Sequence, residues 1–260
     1  MLSSFFMILA LKIFFVLLLI IIIILFVFKP KRKEVIHLPE NIRDTLNDYV
    51  KFYTTLNEEG KQQFEQRIAR FLLSVKINGA NAEVEDLDRI LIGAAAIIPV
   101  YYIPDWEYIN LREILVYPGN FNMEFEQEGH ERHVTGMVGT GHMQNVMILS
   151  KWELRQGFLH SHERNVAIHE FVHLVDKMDG VLDGVPEILL ERKYVPEWKQ
   201  LLEKTMHEIR TGQSDIDPYA ATNQIECFAV LAEYFFEQPE AFRSNHPALN
   251  QMMLRIFTRK

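Results

Sequence analysis

Residues 169–173 of this chain read HEFVH: two histidines four positions apart, with a glutamate between them. On a helix, positions i and i+4 lie about 40° apart around the axis and stack on one face. Both imidazoles can therefore reach one Zn²⁺, while Glu170 points beside the metal rather than at it. Two ligands and a base set against a metal-bound water are the parts of a metal-assisted hydrolase. Surface helices carry stray His and Glu freely, so the surroundings decide. Here Ile168, Phe171, Val172, Leu174 and Val175 wrap the motif, which predicts a buried helix over residues 166–175. A carboxylate and two imidazoles buried without partners would each be costly, and a metal removes that cost for the imidazoles. The ordinary alternative, a partly buried helix whose histidines bond backbone carbonyls, fits this pattern less well.

A catalytic zinc usually takes a third protein ligand. The best source is a second apolar helix over residues 224–236, QIECFAVLAEYFF, stopped by Pro239. Glu226 and Glu233 are seven apart and share a face of it. Glu226 also suits a capping box with Asn223, a role that needs no metal. Glu233 lies deeper in apolar sequence and needs a partner of some kind. From the residues alone both stay open as the third ligand. Asp176, one turn after His173, either orients a ligand imidazole or ends the helix as a surface carboxylate. His130, His133, His142, His160 and His162 fall in polar sequence at irregular spacing and are expected at the surface.

The elements that must hold these groups are mostly helical. Periodic apolar positions predict helices over residues 41–56, 83–98, 197–210 and 249–257, and another around Phe64, Ile68, Phe71 and Leu72. Gly60 is expected to close the first of these or separate it from the helix around Phe64. Short strands are expected over residues 75–78, 113–117 and 145–150. The last two are the candidates for an edge along which an extended peptide could add as a strand. Between them, residues 134–144 (VTGMVGTGHMQ) are expected to form a mobile rim; no Gly-Lys-Ser/Thr follows, so this is no phosphate loop. The architecture predicted is α+β, with a small, mostly antiparallel sheet beside the HEFVH helix.

The N-terminus carries a separate signal. Residues 5–28 are apolar except for Lys12, and Lys29, Lys31, Arg32 and Lys33 follow at once. Twenty-four residues at 1.5 Å each reach about 36 Å, enough for a hydrocarbon core of about 30 Å. The apolar run is too long for a signal peptide and no small-residue cleavage site follows. Positive charge after the span predicts a single-pass anchor in a lipid bilayer, with the bulk of the protein cytoplasmic. The division expected is an anchor with its basic flank at residues 1–33 and one catalytic domain at 34–260. Cys227 is the only cysteine, so no intrachain disulfide forms. With 27 basic against 35 acidic residues, the net charge of −8 offers no footprint for nucleic acid.

HEFVH followed by Asp176 and then Asp179-Gly180 resembles the glucose-regulated bacterial zinc peptidases, the Mlc-titration-factor proteins. These are related in their site to the anthrax lethal factor metallopeptidase. The segments ILVYPGNF (114–121), NVAIHEFVHLVDKMDG (165–180), DGVPEIL (183–189) and DPYAATNQIECFAVLAEYFFEQP (217–239) all fall in that family's order. The resemblance covers roughly residues 40 to 258 and implies a helix-rich, zincin-like domain. It implies Glu226 as the third ligand beside His169 and His173, with one Zn²⁺ per chain, because Glu226 lies seven residues after Tyr219 of the Y-A-A-T segment. Tyr219 then resembles the phenol that stabilises the oxyanion, with Glu170 as the general base that activates a zinc-bound water. Glu233 resembles a supporting group.

The activity implied is peptide-bond hydrolysis, with aminopeptidase or short-peptide cleavage expected. A different class of function is implied as well: family members bind the repressor Mlc, and a membrane-tethered protein could sequester such a transcriptional regulator without proteolysis. Intact His169, Glu170, His173, Tyr219 and Glu226 favour retained chemistry, because sequestration needs no Glu170. The anchor is the main departure from the family, whose best-known members are soluble.

Overall fold

The computed structural model describes residues 18–19, 38–39, 41–159 and 164–258. The chain divides into two compact units, residues 1–35 and 36–260. Only Leu18 and Leu19 of the first are described, so the expected anchor lies outside the described residues. Among the described residues no helix is long and apolar enough to cross a membrane.

The second unit opens with α1 (Ile42–Tyr49), α2 (Lys51–Thr54) and α3 (Glu58–Ser74). The single helix expected over residues 41–56 is interrupted at Val50, which is extended at φ −111° and ψ 92°. Gly60, expected at a helix boundary, lies in the first turn of α3. Asn57 is the reason: its Oδ1 accepts from the Gly60 amide at 2.8 Å and starts the helix ahead of the glycine. β1 (Lys76–Gly79) follows, then α4 (Asp86–Ile97), opened by a reciprocal cap between Glu85 and Asp88.

Next come β2 (Glu113–Tyr117), β3 (Gly136–Val138) and β4 (Val146–Ser150). The strands lie in the order β1-β2-β4-β3. β1 pairs parallel with β2, and β2 parallel with β4; only β3 and β4 are antiparallel. The mostly antiparallel sheet expected is therefore wrong. The connections explain it: β1 reaches β2 through α4, and β2 reaches β4 through residues 118–145, lengths that suit parallel crossovers rather than hairpins. A second correction follows. The two strands expected to offer an edge, β2 and β4, are interior, and the glycine-containing segment expected as a rim supplies the edge strand β3.

Side chains alternate across the sheet as a period of two requires. Ile77, Ile114, Val116, Met147 and Leu149 enter the main core with the helices. Tyr117 and Ile148 turn to the other face, where Phe121 covers them. Helices α5 (Lys151–Leu159), α6 (Val166–Asp176), α7 (Val195–Arg210), α8 (Gln224–Glu237), α9 (Pro239–Asn245) and α10 (Pro247–Phe257) complete the domain. α6 is buried at every residue, because α4, α5, α8, β3 and β4 all pack on it. Phe171 on its back meets Phe71 of α3 and Tyr108 edge-on or tilted, with ring centroids 5.6 and 5.2 Å away. The domain is thus helix-rich α+β, built around the helix that carries HEFVH.

Candidate metal centre

α6 begins where Asn165 caps it, accepting from the Ile168 amide at 3.2 Å. His169 and His173 then lie one turn apart, their rings edge to face with centroids 4.6 Å apart. α8 packs beside α6 and starts in a parallel manner, with Asn223 Oδ1 accepting from the Glu226 amide at 2.9 Å. Only that half of the capping box forms, because the Glu226 carboxylate turns to the histidines. Its Oε2 lies 2.9 Å from His169 Nε2 and 3.6 Å from His173 Nε2. One ligand atom from each of His169, His173 and Glu226 falls within 4.8 Å of the others. Two imidazole nitrogens and a carboxylate oxygen converging from two buried helices suit a borderline divalent ion such as zinc. The donor set fits.

Glu233 is the other carboxylate on the same face of α8. Its Oε1 accepts from His169 Nδ1 at 2.6 Å, and its Oε2 accepts from the Asn165 amide at 2.8 Å. It therefore ties the His169 ring to the start of α6 and leaves Nε2 facing Glu226. Burial pulls the His169 pKa down, but the carboxylates of Glu233 and Glu226 outweigh burial and raise it to about 10. Burial works against the Glu226 charge too, yet hydrogen bonds from both histidines hold its carboxyl well below the usual range. Such a charged, hydrogen-bonded cluster is one that a cation can enter by displacing protons.

Glu170 is 5% exposed, and burial raises its pKa. What sets its position is β3. A Cβ placed on Gly136 would lie 2.9 Å from Glu170 Cγ and 3.0 Å from its Oε1. The β3 backbone thus runs against the glutamate side chain, closer than any side-chain-bearing residue allows. Tyr219 sits on a 3-10 turn, Pro218–Ala221, ordered by Asp217 Oδ1, which accepts from its amide at 2.7 Å. Its ring centroid is 6.1 Å from that of His169, and Arg164 covers it with the guanidinium carbon 4.3 Å from the centroid. Burial raises the phenol pKa, and the nearby Glu226 charge adds to this.

Asp176 fits neither sequence alternative. It is fully buried, and its Oδ2 accepts from the Gly184 amide at 2.7 Å. Gly184, at φ +80°, packs on the Gln224 carbonyl, where a Cβ would come within 2.4 Å. Asp176 therefore links the end of α6 to the start of α8, two residues before Glu226. His130, His133 and His142 are exposed, as expected, while His160 and His162 lie outside the described residues.

Gly136, Arg164 and Asn165 were not singled out in the sequence. Two of them had a signal. A glycine inside an apolar strand marks close backbone approach, and an Asn before an apolar periodic run marks a helix N-cap. Arg164 had none.

A family model described as "Glucose-regulated metallo-peptidase M90" matches residues 28–258. The uncharacterized protein slr2042 of Synechocystis is 30% identical over 237 residues, covering 85% of this chain and 84% of that protein. Mlc titration factor A of Klebsiella pneumoniae is 30% identical over 216 residues, and that of Cronobacter sakazakii is 31% identical over 216. Each match covers 78% of this chain and 80% of the relative.

Proposed function

The chain belongs to the glucose-regulated metallo-peptidase M90 family, and from that premise we propose that it is a zinc peptidase acting on peptide bonds in short or extended substrates, aminopeptidase cleavage among them. His169, His173 and Glu226 would hold the ion, whose Lewis acidity would act on the scissile carbonyl. Glu170 takes a proton from the attacking water and delivers it to the leaving amine. Its buried, raised carboxyl suits a group that must both accept and return a proton. Tyr219 donates to the developing oxyanion from the 3-10 turn. An extended substrate adds along the outer edge of β3, which lies against Glu170. The observation that carries this reading is the convergence of the three ligand atoms within 4.8 Å beside a buried Glu170.

The test is metal analysis paired with a peptide-library cleavage assay. Glu170→Gln should keep one zinc per chain and lose cleavage by about 10²- to 10⁴-fold. Cleavage at the native rate by that variant would sink the reading.

A second reading draws on the relatives named Mlc titration factor A. The chain would bind a transcriptional regulator of that kind through its surface, independently of peptide cleavage. Residues 5–28 would tether either activity to a membrane, with the basic flank Lys29–Lys33 on the cytoplasmic side. Regulator binding that survives Glu170→Gln separates the two activities, and recovery of the full chain in the soluble fraction would exclude the tether.

A further inference from the structure

At the end of α8 remote from Glu226, an open groove of about 340 Å³ runs between α2, α8, α9 and α10. Phe235 stands nine residues beyond Glu226, about 14 Å along the helix, so the groove is separate from the metal centre. Its walls are apolar: Phe52, Tyr102, Phe235, Phe236 and Leu254. Tyr102 is 47% and Leu254 42% exposed, which leaves apolar surface open to a ligand. Phe52 and Tyr102 meet edge to face with ring centroids 6.4 Å apart. A volume within about 300–1,000 Å³, apolar and aromatic walls and few polar groups are the marks of a small-molecule site.

One polar group is out of place in these walls. Asn250 lines the groove from α10 and is 9% exposed. Among the described residues its carboxamide has no hydrogen-bond partner. Neither carboxamide atom is sealed from solvent, so both open where the residue does, onto the groove. Buried carboxamides are normally satisfied. This one offers an N–H donor and a carbonyl acceptor side by side. A ligand group that satisfies both must itself donate and accept, as a peptide amide does; a carboxylate or a hydrocarbon does not. Water meets that need but leaves the aromatic walls wet, and covering apolar surface is what stabilises a ligand there. Lys51 supplies a cation at the same groove. Its Nζ donates to the Glu237 backbone carbonyl at 3.3 Å, while the Glu237 carboxyl accepts from Asn165 instead. Arg243 and Glu240, also at the groove, pair with each other.

We propose that this groove binds a short apolar peptide through one backbone amide paired with the Asn250 carboxamide. An aromatic or aliphatic side chain lies against Phe235 and Phe236, and a free C-terminal carboxylate lies near Lys51. The site rests neither on the metal centre nor on peptide cleavage. An occupant would brace the end of the helix that carries Glu226 and Glu233.

The experiment is calorimetric titration of the full chain with N-acetyl-phenylalanine. Two controls run beside it. Phenylpropanoate keeps the ring and carboxylate without the amide, and N-phenethylacetamide keeps the ring and amide without the carboxylate. The expected result is saturable binding of N-acetyl-phenylalanine, with phenylpropanoate weaker by about tenfold or more and N-phenethylacetamide weaker by about two- to fivefold. Asn250→Leu, close in shape, should abolish the first difference, and Lys51→Met the second. Because Asn250→Leu removes an unpartnered polar group, its Tm should be unchanged or higher. If that variant does not fold, Leu254→Asp takes its place, and a charge in the wall should weaken N-acetyl-phenylalanine by about tenfold or more. No saturable binding, a difference that survives in its own variant, or native affinity in Leu254→Asp overturns the proposal. The last two results put the peptide elsewhere, the metal centre included.

Discussion

Gly136→Ala is the sharpest perturbation that the geometry offers. The added methyl would stand 2.8 Å from Val166 Cγ2, 2.9 Å from Glu170 Cγ and 3.0 Å from Glu170 Oε1. Carbon atoms in contact settle at roughly 3.5–4.0 Å, so β3 and the glutamate must separate by roughly 0.6–1 Å. The backbone at 136 is not left-handed, so alanine adds no conformational penalty and the effect is steric. A shift of about 1 Å in a positioned group costs up to ~100-fold in rate. We expect kcat/KM to fall about 10- to 100-fold, or about 1.4–2.7 kcal/mol in the barrier. Over-packing should also lower stability by about 1–3 kcal/mol, read as a fall of roughly 2–4 °C in Tm per kcal/mol. Zinc content should not change, because the atoms nearest the added methyl belong to Val166 and Glu170. The assay is peptide cleavage under kcat/KM conditions, alongside elemental analysis and thermal unfolding of the same samples. Wild-type kcat/KM with full zinc in this variant would refute the reasoning: either β3 does not set Glu170, or Glu170 is not the base.

The remaining expectations concern the supports of the site. Glu233→Gln keeps the volume but cannot accept from both His169 Nδ1 and the Asn165 amide, so one N–H is left facing another; zinc affinity should drop about 10- to 100-fold in competition with a chelator. An unchanged affinity would show that Glu233 does not orient His169. Tyr219→Phe should lower kcat about 10²- to 10³-fold with metal content intact, a loss that steady-state kinetics can read. Burial raises the Asp176 carboxyl to about 7, above the unfolded value of about 3.9. The folded state therefore binds the extra proton between those values, so stability from this group declines as pH rises from about 4 to 7 and is level above. Asp176→Asn should remove that decline: comparing urea unfolding at pH 5 and 7.5, the wild type should lose more stability than the variant. Equal pH slopes in both proteins would contradict it.

The spacing of HEFVH inside an apolar run was enough to specify a buried helix with two imidazoles on one face, because helical period and burial are local properties of a sequence. The same holds for α8 and for the strands β2 and β4, whose bounds the short apolar runs mark to within about a residue. The choice between capping and ligation at Glu226 was not local. Asn223 caps α8 whichever way the carboxylate turns, and only the packing of α8 on α6 brings Glu226 Oε2 to His169 Nε2. Glu233 bonds His169 Nδ1 for the same reason.

Strand direction was likewise beyond a residue-by-residue reading, since a crossover and a hairpin can join strands of identical composition. The consequence is functional: β3, a glycine-containing stretch with weak strand character, becomes the edge beside Glu170, and strands of stronger pattern become interior. Asp176, a lone carboxylate in the sequence, is buried and bonded to Gly184 because the chain after α6 folds back across α8. Local chemistry thus chose the candidate groups. The long-range packing of α6, α8 and β3 set the distances between them, because those distances depend on which surfaces meet and no single segment contains that information.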